Sequence, residues 1–274
     1  MAERAPISFR DLLARPRAKA DAKIAYGPLD LQFGELWLPP GSGPHPLVVM
    51  IHGGCWLADL PGLELMDQAC ADLKAAGVAV WNLEYRRIGH EGGGYPGTFQ
   101  DVATGVNRAR GLAKSYPLDL NRVVVAGHSA GGHLALWSSV RGPLRGPDPF
   151  IPKGAVSLAG IIDLAAYHAT GPDACGGPGT IDALVGAEGR GGQDVYADTS
   201  PLALLPLALP YAVISGVVDP IVPSRFGAAF GAAAKAMGDT VTVLDLEGAG
   251  HFELIDPTAP AWAVIKAQIK SLLD

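Results

Sequence analysis

Apolar residues along this chain fall into short continuous runs, each followed by a longer stretch rich in alanine and leucine. The runs at 47–51 (LVVMI), 78–83 (VAVWNL), 123–126 (VVVA), 155–158 (AVSL), 211–214 (YAVI) and 241–246 (VTVLDL) predict strands, and the run at 33–38 predicts an edge strand. Helices are predicted near 63–76, 98–115, 130–140, 223–237 and 260–273. Strands that are apolar throughout, rather than alternately, are buried on both faces. Their alternation with helices predicts an α/β architecture, a mostly parallel sheet with helices on both faces. The stretch at about 163–200 breaks the pattern: it contains GPDACGGPGT and GAEGRGG, and reads either as a surface excursion or as a lid over a site. Residues 1–30 are expected to form an N-terminal extension that contributes to a small cap, leaving 31–274 as a single domain.

With 274 residues, almost half of them hydrophobic, the chain can bury a sizeable core. A net charge of −6 without a Lys/Arg cluster leaves no electrostatic footprint for DNA or RNA. There is no basic amphipathic face for an anionic membrane, no apolar core of a secretory signal and no run of the ~18 apolar residues that a span requires. Cys55, Cys70 and Cys175 are too few and too scattered for a disulfide framework, and no CxxC or HxxxH spacing marks a zinc site. These readings predict a soluble, reduced, cytoplasmic protein, monomeric or dimeric, that takes a small-molecule substrate and needs no metal or organic cofactor.

The chemistry is concentrated at strand ends. Gly127-His128-Ser129-Ala130-Gly131 is a G-x-S-x-G that directly follows VVVA and directly precedes the helical run GGHLALWSSV. That is the context of a nucleophile elbow, in which a serine sits on a strained strand-to-helix turn and the helix N-terminus favours developing negative charge. His52-Gly53-Gly54-Cys55-Trp56 directly follows LVVMI, and its glycines allow main-chain amides to turn toward an oxyanion. Gly53, Gly54 and Ala130 are the candidate oxyanion donors. In this architecture the triad runs Ser, then Asp or Glu, then His. His251 is the last histidine, after VTVLDL, and Asp219 follows YAVI. Both therefore lie at strand C-terminal ends, where ligands collect in open α/β sheets. Asp163 opens the Gly-rich excursion, while Asp245 and Glu247 are too close to His251. Asp101 is expected to cap or pair near a helix start, and Glu84, Tyr85, Arg86 and Arg87, which follow VAVWNL, either to line the pocket or, in preference, to form a structural ion pair. Cys55, Trp56, His128 and Phe252 are the candidate pocket residues.

HGGCW, LEYRR, YPGTFQDV, GHSAGGHLAL, SGVVDPIVP and GAGHFELIDP together resemble the esterase/lipase branch of the α/β-hydrolase superfamily. The nearest groups in style are the BD-FAE-type hydrolases and the kynurenine formamidases, which carry HGG-x-W. The resemblance runs from about residue 30 to the C-terminus. It implies the α/β-hydrolase fold, Ser129 as nucleophile, His251 as base, Asp219 as orienting acid and an acyl-enzyme route on small soluble esters. An arylformamidase or amide hydrolase would use the same triad. A peptidase with a propeller domain has no room in this chain, and a non-catalytic binding module usually lacks a triad member. Cys55 stands where the related lipases have a third glycine, which predicts a narrower acyl pocket. Its free thiol is expected to border that pocket, with alkylation slowing turnover by crowding.

Overall fold

The computed structural model describes residues 6–274. Eight strands form one sheet: β1 (Ala22–Ala25), β2 (Phe33–Trp37), β3 (His45–Ile51), β4 (Ala79–Leu83), β5 (Leu118–His128), β6 (Gly154–Leu158), β7 (Tyr211–Gly216) and β8 (Val241–Leu246). Their order is β1-β2-β4-β3-β5-β6-β7-β8. β1 pairs antiparallel with β2, and β2 with β4; all later pairings are parallel. Every residue of β4, β6 and β7 is buried, as continuous apolar runs require. The two outermost strands, β1 and β8, carry partly exposed patterns.

The helices in chain order are α1 (Phe9–Leu13), α2 (Asp67–Ala75), α3 (Gly97–Asn107), α4 (Ala109–Leu112), α5 (Ala130–Ser138), α6 (Leu164–Thr170), α7 (Pro178–Val185), α8 (Arg225–Ala236) and α9 (Pro260–Leu273). Asp72 on α2 accepts from Trp262 Nε1 and Lys266 Nζ of α9, both at 2.7 Å, which ties these two helices together. α5 packs on β5 and β6 and is buried along its whole length, which explains why GGHLALWS has no polar face.

Three sequence expectations need correction. The extension over 1–30, of which residues 1–5 lie outside the described residues, contributes β1 to the sheet's edge, so the sheet domain does not begin at residue 31. The Gly-rich stretch at 163–200 is not irregular: it folds α6 and α7, with Asp163 capping α6 by accepting from Ala166 N at 3.0 Å. Gly186, at φ 66°, ends α7 in the left-handed conformation that glycine adopts without penalty. The helix expected over 98–115 is interrupted between α3 and α4. Among the described residues no helix is long and apolar enough to cross a membrane.

The register positions the site. Ile51 pairs with Gly127, so the segments that follow β3 and β5 leave the sheet side by side. Gly216 pairs with Leu246, which does the same for the segments after β7 and β8.

Candidate active site

Ser129 sits at φ 56° and ψ −121°, a backbone conformation that costs a non-glycine residue about 1–3 kcal/mol and persists only where its surroundings enforce it. Its amide donates to Leu158 O at 2.8 Å, and its carbonyl accepts from His133 N at 3.1 Å. The turn also needs close approach. A Cβ on Gly131 would lie 2.1 Å from Ile51 O and 2.4 Å from His52 O, so only glycine lets α5 start against the end of β3. As the first residue of α5, Ala130 has an amide without an intrahelical acceptor.

His251 Nδ1 donates to Asp219 Oδ2 at 2.6 Å. The other carboxylate oxygen, Oδ1, accepts from Ile221 N at 2.7 Å and Val222 N at 2.9 Å. One side chain thus makes its own turn and orients the imidazole, leaving His251 Nε2 as the ring atom free for proton exchange. Asp219, His251 and Ser129 are all buried. Asp245 and Glu247 are exposed, and Asp163 is used as a helix cap.

Ser129 and His251 open into one cavity of about 140 Å³. Gly54, Cys55, His128 and Phe252, one loop glycine and three of the candidate pocket residues, line it. Trp56 does not: it is fully buried, edge-on to His133 at 5.3 Å. Its expected place in the pocket is corrected, because the backbone turn at Cys55 and Trp56 (φ 49° and 56°) places the indole in the core. Of the remaining walls, Phe9 and Ala174 lie in the N-terminal extension and the Gly-rich excursion, which the sequence offered as cap and lid, whereas Leu60, Pro61 and Leu65 carry no sequence signal of their own and Ile221 lies just past Asp219.

His128 Nε2 faces the carbonyl of His251 at 3.0 Å, and a carbonyl only accepts, so this nitrogen carries the proton. Burial, followed by the neighbouring His251, pushes the His128 pKa well below the usual histidine value, so the ring is neutral. His128 thereby holds the main chain of the candidate base against the elbow.

The HGGCW loop is braced by the LEYRR segment, in roles that the sequence expectation of a structural ion pair within LEYRR did not include. Glu84 Oε1 accepts from His52 Nε2 at 3.0 Å and Tyr85 N at 2.9 Å. Tyr85 OH donates to His52 O at 2.8 Å. Arg87 Nη1 donates to the carbonyls of Leu57, Leu60 and Pro61 at 3.1, 2.6 and 3.2 Å, while its Nε lies 3.7 Å from Glu84. Burial raises the Glu84 pKa, but His52 and Arg87 outweigh it and hold the carboxyl down at about 2. Arg86 pairs instead with Asp101, through two bonds of 2.7 Å. The one signal available beforehand was position: Glu84 and Arg87 follow the C-terminal end of β4, the neighbour of β3.

The expectation of a reduced chain with a free Cys55 is also corrected. Cys55 and Cys175 form a disulfide between the HGGCW loop and the 163–200 excursion, and Cys70 is the free, buried cysteine. A separation of 120 residues hid this pair from spacing arguments.

Comparison with known proteins gives a consistent picture. Esterase LipC of Mycobacterium tuberculosis is 27% identical, over 90% of this chain and 64% of its own length. The non-reducing polyketide synthase pkbA of Emericella nidulans is 32% identical over 126 residues, 43% of this chain and 5% of that protein. The chain therefore spans less than two thirds of either relative. Esterase B from Lactobacillus rhamnosis superposes with a TM-score of 0.82 at 20% identity, covering 97% of this chain and 90% of that one. Esterase 2 of Thermogutta terrifontis, in its propionate-bound form, gives 0.74 at 19% identity, covering 92% and 93%. These likenesses establish the α/β-hydrolase fold. The BD-FAE family profile matches residues 35–233, from the sheet's second strand through most of α8. The chain accordingly belongs to the BD-FAE family of α/β-hydrolase-fold proteins.

Proposed function

We propose that the protein is a serine carboxylic-ester hydrolase acting on small soluble esters. Ser129 Oγ attacks the ester carbonyl while His251 Nε2 takes its proton, and Asp219 stabilises the resulting imidazolium. The amides of Gly53, Gly54 and Ala130 receive the oxyanion, each such donor contributing about 3 kcal/mol. His251 then protonates the departing alcohol, and water repeats the sequence on the acyl-enzyme. The observation that carries this reading is the 2.6 Å His251–Asp219 bond at the cavity onto which the strained Ser129 also opens.

Cavity size supports small substrates. At about 140 Å³ it is close to the cavity of about 150 Å³ that holds a benzene molecule, or about six heavy atoms. Its walls are almost wholly apolar, which suits an acyl chain rather than a charged group. Hydrolysis of p-nitrophenyl propionate by the wild-type chain tests the reading. Ser129→Ala is expected to lower kcat by about 10⁴-fold or more, and a fluorophosphonate to label Ser129 once per chain. Turnover by Ser129→Ala close to wild type would overturn it.

A further inference from the structure

Phe9 lines the catalytic cavity although it lies 120 residues before the elbow serine, on a segment that no triad argument uses. That segment is fastened along its length. Pro6 lies against Gly250, where a Cβ on the glycine would come within 2.9 Å of the proline ring. Ile7 N donates to Glu253 Oε1 at 2.6 Å, while Glu253 Oε2 accepts from Gly250 N at 3.1 Å. A single carboxylate thus ties both the N-terminal segment and the loop that carries His251. The Phe9 ring meets Phe252 edge-on at 6.1 Å. Leu12 is buried in the core. Arg15 makes a two-pronged bond to Asp256, at 2.5 and 2.7 Å, and the buried Asp256 also accepts from Thr258 N and Oγ1. Arg17 pairs with the buried Asp67, and Gln68 Nε2 donates to Pro16 O at 2.9 Å.

We propose that residues 6–17 are a strap closing the catalytic cavity, and that Phe9 on it is the specificity-determining residue that limits the length of the ester's acyl chain. The proposal rests on the esterase reading above. A benzene-sized space cannot take a long chain unless a wall moves, and Phe9 is the wall held by a segment anchored at side chains rather than by the sheet. Ion pairs of Arg15 with Asp256 and of Arg17 with Asp67 and Glu35 fix that segment, so its closure depends on Arg15 and Arg17 as well as on the ring itself. An acyl group of up to about six heavy atoms fits with the strap in place; a longer one must displace Phe9.

The test compares kcat/KM for p-nitrophenyl acetate, butyrate and octanoate in the wild type, Phe9→Ala and Arg15→Gln. The wild type is expected to prefer butyrate over octanoate by at least about 50-fold. Phe9→Ala should narrow that ratio about tenfold or more. Arg15→Gln, which removes no atom from the cavity, should narrow it about threefold in the same direction, an effect that simple loss of folded protein cannot produce. If Phe9→Ala does not fold, Phe9→Leu carries the same expectation at about threefold. A butyrate-to-octanoate ratio unmoved in variants that still hydrolyse butyrate overturns the strap alone. Failure of the wild type to turn over any of the three esters overturns the esterase reading and the strap with it.

Discussion

Replacing Cys175 by alanine tests the disulfide, the feature of this site most at odds with expectation. The bridge closes a loop of 120 residues. The chain-entropy relation puts its effect on the unfolded state at about 5 kcal/mol, and removal of native disulfides typically costs 2–5 kcal/mol. For a domain of this size each kcal/mol moves Tm by about 2–4 °C, so Cys175→Ala is expected to melt roughly 4–20 °C lower. Activity should suffer less. Cys55 follows Gly54 directly, yet the HGGCW loop and the segment after it are also held by Arg87 through three carbonyls and by Glu84 through His52. We expect kcat/KM on a propionate ester to fall by about tenfold or less, the loss lying mainly in KM because Ala174, next to Cys175, forms part of the cavity wall. Thiol titration gives an independent count. Unfolded without reductant, each chain should expose one reactive thiol, Cys70, and after reduction three. Three thiols before reduction, or identical melting of parent and variant, would refute the bridge. The same titration on protein quenched with alkylator at lysis bears on location, since a reducing cytoplasm keeps such pairs as thiols.

The other predictions concern the catalytic groups and their supports. Asp219→Asn is expected to lower kcat by about 10⁴-fold while the fold persists, because the amide disturbs the imidazole's tautomer; a loss below tenfold in steady-state assays would contradict its role. Glu84 is held at about 2 in the fold against about 4.3 unfolded. Its contribution, roughly 3 kcal/mol, is therefore present above pH ~4.3 and lost as pH falls toward 2. Urea midpoints compared at pH 6 and pH 3 should fall less in Glu84→Gln than in the parent, and equal acid sensitivity would count against the bracing role. Gly131→Ala should lose at least about 3 kcal/mol or fail to accumulate as folded protein, since the added methyl meets backbone oxygens that cannot move aside. A Gly131→Ala urea midpoint matching the parent would show the elbow to be looser than the geometry implies.

Sequence alone determined the elements whose cause is local. Continuous apolar runs have no face to offer water, so β4, β6 and β7 could be placed without coordinates, and VTVLDL was located to the residue as β8. G-x-S-x-G and HGG are legible because backbone sterics at those points admit few side chains, and such constraints are written into adjacent residues. The order of serine, aspartate and histidine pointed to Asp219 and His251, which the fold brings to 2.6 Å. Tertiary structure decided whatever depends on residues distant in the chain. The Cys55–Cys175 bridge, the bracing of the HGGCW loop by Glu84 and Arg87, the burial of Trp56 and the presence of Phe9 at the cavity all arise from register and loop path. Short strands such as β1, with four residues and an alternating pattern, acquire their state only from a partner strand. A single side chain meeting another across 120 or 240 positions leaves no periodicity behind, because the contact is selected by the geometry of the sheet and not by the residues between.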